Sequence, residues 1–542
     1  MAAGGAVSPS GTPEKASDGS AKSSSAGAGA SAPSGTENSF DLLLKGAPPQ
    51  VRRDQELGEQ RESAIEKARA DMAKSPADPE PLQRLVDSLI VSHRGDEART
   101  EAQAFVIRQP GIAGGYVALG KALYWNGEYD LALLQFQRAV ALLPGARDPA
   151  FWQAKVLSAT GQGGEAVEIL RRLAAREPAA TSVWTSLGYQ YEEAGNWVEA
   201  AKSWEQVAAL KEAQKEDNRL SSMRTLLCRD LAGNPPRMDG LPREGLTLPF
   251  QSLNGMPAVR VRLNQKVERL LLIDLSSPDV LLVSSVAREL QMAEYGGPSY
   301  ANEEGEFALR PAVAVLESLQ AGPLVVLRVP VEIKPRVNYP SLEIGGVLGR
   351  RFFRNLLLTV DWSKGTLRLQ PAPERPIEGA RLYVSQALLT DGRMNGENAG
   401  KFLVGTSIFT PGPISALWAQ QKLGILPGKN GTRPLFQNNY LYTFTLPEIE
   451  IAGMTWKNLH ATATDYRSMS LQLQTEITGG LSSAMMKGMK ATFDLAHLRL
   501  HLERVTPPVS PPAAGPPSTA PPAANGGAPM PPVSPPPGGS AR

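Results

Sequence analysis

The residues best placed for chemistry sit at the end of an apolar run. Leu271, Leu272 and Ile273 deliver Asp274 to a tight turn at Leu275-Ser276, and Pro278-Asp279 then leads into Val280 to Val283 and a short helical stretch, residues 283 to 290. A carboxylate held this way activates water when a second carboxylate about 3 Å away shares its proton. The pattern recurs downstream. Lys401-Phe402-Leu403-Val404 runs into Gly405-Thr406-Ser407 and on to Pro413 through Ala419. Gly405 falls 131 residues after Asp274, so the second copy has no side chain where the first has its acid.

Other acids and imidazoles offer little. Asp279 is too far around the turn to replace a missing partner, and Asp391, in Thr390-Asp391-Gly392, is expected in a hairpin loop ahead of the second copy. Asp361 and Asp494 fit the turn of a closing hairpin in each copy. His497 and His501 are four apart, but Leu498, Leu500 and Leu502 alternate around them as in a strand, which makes them solvent-face residues rather than metal ligands. The single cysteine, Cys228, excludes an internal disulfide framework and a cysteine-cluster metal site. No phosphate-binding loop or nucleophile elbow occurs, and no cofactor is expected.

The elements that carry these residues are duplicated whole. Ile344-Gly345-Gly346-Val347-Leu348-Gly349, then Leu358 to Asp361 and Leu367 to Leu369, match Ile477-Thr478-Gly479-Gly480-Leu481-Ser482, then Ala491 to Asp494 and Leu500 to Leu502. This arrangement resembles the retropepsin-like and pepsin-like aspartic peptidases, whose motif reads Asp-Thr/Ser-Gly. The resemblance implies two all-β lobes, each supplying one catalytic acid. Asp274 keeps the first acid, while Leu275 and Ser276 stand where the family has its hydroxyl residue and glycine. In the second lobe Gly405 replaces the acid, Thr406 keeps the hydroxyl that braces the two arms, and Ser407 replaces the glycine. The two serines put the turn geometry in question. With one acid of the pair missing, the expectation is a noncatalytic cleft around Asp274, Leu275, Ser276, Gly405, Thr406 and Ser407 that binds extended peptide. The alternative is an atypical aspartic endopeptidase using Asp274 alone.

Ahead of the lobes the period is helical. Ala64, Ala98, Ala132, Ala166 and Ala200 recur every 34 residues, as do Pro76, Pro110, Pro144 and Pro178. Tyr116, Leu119, Gly120, Leu123, Ala132, Phe136 and Ala139 match Trp184, Leu187, Gly188, Tyr191, Ala200, Trp204 and Val207. Small residues at the helix crossing, large ones toward the next pair and a terminating proline resemble the tetratricopeptide repeat. That resemblance implies a concave groove for a protein or peptide, and a capping helix from about Leu210 to Ala232 is expected to close the array.

The fold class expected is therefore α+β multidomain: an N-terminal α-solenoid followed by an all-β, two-lobed aspartic peptidase-like domain. The boundaries read 1–50 disordered and low in complexity, 51–232 solenoid, 233–245 linker, 246–372 first lobe, 380–504 second lobe, and 505–542 a disordered proline-rich tail. The 542 residues carry 56 basic and 54 acidic side chains, a formal net charge of +2 with no long basic run, which argues against nucleic acid as partner. No run reaches the roughly 18 apolar residues of a membrane span. The start Met1-Ala2-Ala3-Gly4-Gly5 lacks a secretory pattern, so the cytoplasm is the expected compartment, or the periplasm or exterior if the true start lies upstream.

Overall fold

The computed structural model describes residues 49–295, 312–334, 344–394, 396–408, 410–428, 433–434 and 442–505. Both stretches expected to be disordered, before residue 49 and after residue 505, lie outside the described residues. Arg61–Arg542 form one compact unit; of Met1–Gln60 only the start of the Pro49–Lys74 helix is described. No helix among the described residues is long and apolar enough to cross a membrane.

Helical hairpins follow one another at the repeat spacing: Pro79–Val91 with Gly95–Arg108, Ala113–Trp125 with Tyr129–Leu142, Arg147–Ala159 with Gly163–Arg176, and Thr181–Ala194 with Trp197–Ala213. The small residues do what their spacing requires. A Cβ on Gly120 would lie 2.6 Å from Phe136 Cε1, and one on Gly188 2.7 Å from Trp204 Cε2, so each glycine leaves room for the aromatic of the paired helix. Ala98, Ala132, Ala166 and Ala200 are fully buried. The expected capping helix is two elements. Trp197–Ala213 continues the last hairpin, the chain breaks at Lys215 with φ +58°, and Arg219–Gly233 then begins.

Each hairpin turns through a left-handed residue: His93 (φ 57°), Gly127 (75°), Gly161 (85°) and Gly195 (70°), spaced 34 apart. Three use glycine, which meets no Cβ penalty there.

The strand-rich part that follows holds the duplication in its pairing. Val267–Asp274 runs parallel to Gly346–Gly349, with Asp274 opposite Gly349; Val280–Val283 lies antiparallel to Gly346–Gly349 and parallel to Leu324–Lys334. In the second copy, Glu397–Gly405 runs parallel to Ile477–Ser482 with Gly405 opposite Ser482, while Pro413–Ser415 lies antiparallel to Ile477–Ser482 and parallel to Met454–Thr464. The glycines allow these crossings. A Cβ on Gly346 would sit 2.0 Å from the Leu281 carbonyl oxygen, and one on Gly479 2.5 Å from that of Pro413.

The two copies join through one sheet. Leu356–Asp361 pairs antiparallel with Met489–Asp494, and Thr359 faces Thr492 with their hydroxyls 3.1 Å apart. That pair marks a local pseudo-twofold axis. One apolar core runs through both copies, including Leu282, Leu348, Leu358, Val404, Ile414 and Phe493. Burial on both sides of the joining sheet makes the copies one packed body.

Candidate functional site

The two arms meet at Thr406. Its hydroxyl donates to the Ile273 carbonyl at 2.5 Å and accepts from the Leu275 amide at 3.3 Å, so one side chain ties the second arm to both sides of Asp274. Leu275 cannot return the contact; its side chain is fully buried in the core instead. Asp274 is 8 % exposed and accepts from the Ser276 amide (3.0 Å) and hydroxyl (2.5 Å). Neither Ser276 nor Ser407 has a positive φ, so the turns form without glycine, contrary to the sequence expectation. The serine at 276 supplies a donor to the acid that glycine could not.

Gly405 lies directly before Thr406, in the place equivalent to Asp274. A Cβ built there would fall 2.4 Å from both Cδ1 and Cγ1 of Ile408. The space a second acid would need is occupied by an apolar side chain. Ile408 carried no sequence signal, because its importance comes from a turn that folds it back over the preceding strand.

The other acids are engaged elsewhere. Asp391 lies inside the strand Leu388–Met394, not in a hairpin loop, and ion-pairs with the buried Lys401, whose ammonium lies 3.6 Å from the Tyr383 ring centroid. Asp361 accepts from Ser363 and Lys364 at its turn. His497 sits in the turn before Arg499–Arg504 rather than within the strand, and bonds Asp494; His501 is in the strand and exposed. Among the described residues no group of three or more His, Cys, Asp or Glu side chains is arranged to hold a metal ion.

Behind the Asp274 turn lies a buried ionic network. Asp279 meets Arg351 at 2.6 Å and Arg224 at 3.7 Å; Glu192 meets Arg224 at 2.5 Å and Arg351 at 3.1 Å; Glu193 meets Arg350 and Arg351, each at 2.9 Å. Glu192, Glu193 and Arg224 come from the last helices of the solenoid, whereas Asp279, Arg350 and Arg351 flank the first arm. Burial raises the carboxyls of Asp279 and Glu193, and the adjacent guanidiniums, Arg351 first, more than offset it, leaving both below their ordinary values. The Arg350 and Arg351 amides donate to the carbonyls of Ser277 and Pro278, so the network grips the backbone of the turn itself. Sequence reading passed over Arg350-Arg351-Phe352-Phe353-Arg354; three arginines after a glycine-rich strand end were the available signal.

The hairpin turns of the solenoid dock on the strand-rich part. His93 Nδ1 lies within hydrogen-bond distance of the Glu476 carboxylate (3.0 Å), Gly127 packs on Lys401, Gly161 on Leu498 and Gly195 on Arg354. Tyr129 and Thr475 share a hydrogen bond of 2.9 Å at the same seam.

Two clefts are prominent. One, of about 200 Å³, lies between Trp197, Leu227, Val313 and Val331. The other, of about 1280 Å³, opens between the solenoid side chains Phe151, Lys155 and Tyr189 and the strand-region residues Asp279, Gln386 and Gln472. Neither is lined by Asp274, Leu275, Ser276, Gly405, Thr406 or Ser407.

A family model described as tetratricopeptide repeat matches residues 84–147 and 153–217. By that match the helical part is a tetratricopeptide-type solenoid, and a strand-rich region follows it. The comparison with curated proteins gave no match. Among solved structures, MamA is 22 % identical over 30 % of this chain and 95 % of its own, with a TM-score of 0.26. TTC0263, a thermophilic TPR protein in Thermus thermophilus, is 18 % identical over 33 % of this chain and 96 % of its own (TM-score 0.28). YrrB, described as a TPR protein with an unusual peptide-binding site, is 16 % identical over 32 % and 86 % (TM-score 0.27).

Proposed function

We propose that this chain is a noncatalytic protein-binding scaffold: a tetratricopeptide solenoid fixed to a degenerate, two-lobed aspartic peptidase-like region. Paired strand-turn-helix arms, a shared sheet between the lobes and a threonine brace across the arms support the peptidase-like reading. The observation that carries the loss of catalysis is Ile408, whose side chain fills the space beside Gly405. Hydrolysis in such an architecture needs two carboxylates sharing a proton, and here the second position has no acid and the Ile408 side chain lies where its Cβ would be. Of the residues in this proposed clasp, the half-buried Ser276 and the 8 % exposed Asp274 would meet an extended chain without cutting it, while the buried Leu275, Gly405, Thr406 and Ser407 hold the two arms together. Repeats of the solenoid type bind proteins or peptides, which makes the groove the second binding surface.

A library of extended peptides passed over the immobilised full chain tests this reading. Specific sequences should be retained intact by mass, and Thr406→Val, which unties the arms, should reduce retention of the subset bound at the clasp. Cleaved products, or no enrichment of any sequence, would contradict it.

A further inference from the structure

We infer that the cleft of about 1280 Å³ between the solenoid and the strand-rich region takes an acidic extended peptide, with Lys155 binding one of its carboxylates. This rests on the solenoid-groove reading and names the chemistry of its occupant.

The volume exceeds the roughly 300–1,000 Å³ of small-molecule sites, which favours a stretch of polypeptide. Its wall is mixed, with apolar Phe151, Val167 and Leu170 beside charged groups. The charge bookkeeping gives the sign of the occupant. Each acid lining the cleft already faces a cation: Glu168 faces Arg171, Glu193 faces Arg350 and Arg351, Asp279 faces Arg351, and Glu332 faces Lys334. Lys155 does not have its counterpart. Among the described residues no carboxylate lies in ion-pair range of its ammonium, which sits 4.6 Å from the Trp152 ring centroid and 5.4 Å from that of Tyr124. Burial without an anion pulls it down to about 8. An ammonium on two aromatic faces, on a residue that lines the cleft, is positioned to meet an incoming carboxylate. Lys121, 5.9 Å from the same Trp152, is by contrast paired with Asp87.

The same cleft is lined by Ser277, Pro278 and Asp279, which follow Asp274 in the first arm. An occupant held by Lys155 therefore lies against the ionic network that grips that turn.

The test uses the full chain and a fluorescein-labelled decapeptide of alternating glutamate and alanine, with its glutamine counterpart as control, read by anisotropy at low salt. The wild type should bind the acidic peptide at least about tenfold more tightly than the glutamine one, a preference that shrinks above about pH 8 as Lys155 loses its proton. Lys155→Met should abolish the preference while melting no lower than the wild type, and Lys155→Arg should retain most of it. Equal binding of both peptides, or an unchanged preference in Lys155→Met, overturns the carboxylate assignment and leaves the peptide groove standing. If neither the acidic nor the glutamine peptide binds at all, both readings are overturned.

Discussion

Thr406 bridges to Ile273 across the two arms: its hydroxyl gives a 2.5 Å hydrogen bond to the Ile273 carbonyl while taking one from the Leu275 amide. In a symmetric pair of arms the brace would be made twice. Here it is made once, from the second copy, because Leu275 sends its side chain into the core.

Removing the brace is accordingly costly. Thr406→Val leaves a fully buried carbonyl and amide without their partner, a loss of about 1–3 kcal/mol, and Thr406→Ser restores most of it. Urea midpoints of the three proteins measure this directly.

Gly405→Asp is expected to damage the fold. Its Cβ collides with Ile408, and overpacking of this kind costs about 1–3 kcal/mol before the burial of a charge is counted. Adding Ile408→Ala should recover part of the loss, a coupling visible in a double-mutant cycle of thermal midpoints.

The ionic network gives the docking seam an acid limit. Asp279 and Glu193 have native carboxyls below their unfolded values, so their stabilisation is complete above about pH 5 and fades as pH falls from there through the native values. Asp279→Asn should cost about 3 kcal/mol at neutral pH, by leaving Arg351 and Arg224 short of an anion, and should flatten the acid slope of stability. Denaturant titrations between about pH 7 and pH 3 check both effects.

Much of this organisation was legible in the sequence. The 34-residue alanine and proline period specified helix hairpins because only small residues fit where Phe136 and Trp204 seat on glycine. The offset copies of the apolar strand, acid or glycine turn and glycine-rich strand specified a duplicated β architecture for a similar reason: Gly346 and Gly479 are demanded by backbone crossings, and such demands survive in sequence. What depended on long-range contact did not show. Ile408 is an ordinary apolar residue until the chain folds it onto Gly405. Gly127, Gly161 and Gly195 drew no reading from the sequence, yet each is both a turn residue and a docking surface. Asp391 was misplaced because Asp-Gly suggests a loop, whereas its partner Lys401 and the neighbouring Tyr383 hold it in a strand.

Those turn glycines are doubly constrained. Gly161→Ala forces a Cβ onto a residue at φ 85° and to within 2.8 Å of Leu498 Cδ1, so it should destabilise by roughly 1–2 kcal/mol. Gly111, which has nothing within 4 Å of a Cβ, is the control: Gly111→Ala should leave the thermal midpoint nearly unchanged. Equal shifts in the two variants would mean that the turns do not dock as described.

On the proposed reading, Gly405 and Ile408 stand where a second acid would be, and the chain does not hydrolyse peptides. Incubating the purified full chain with a denatured protein mixture from about pH 3 to pH 7, alongside Asp274→Ala, measures it most directly. The account predicts no peptide bond cleavage beyond the buffer control in either sample. Cleavage by the wild type that disappears in Asp274→Ala would contradict it.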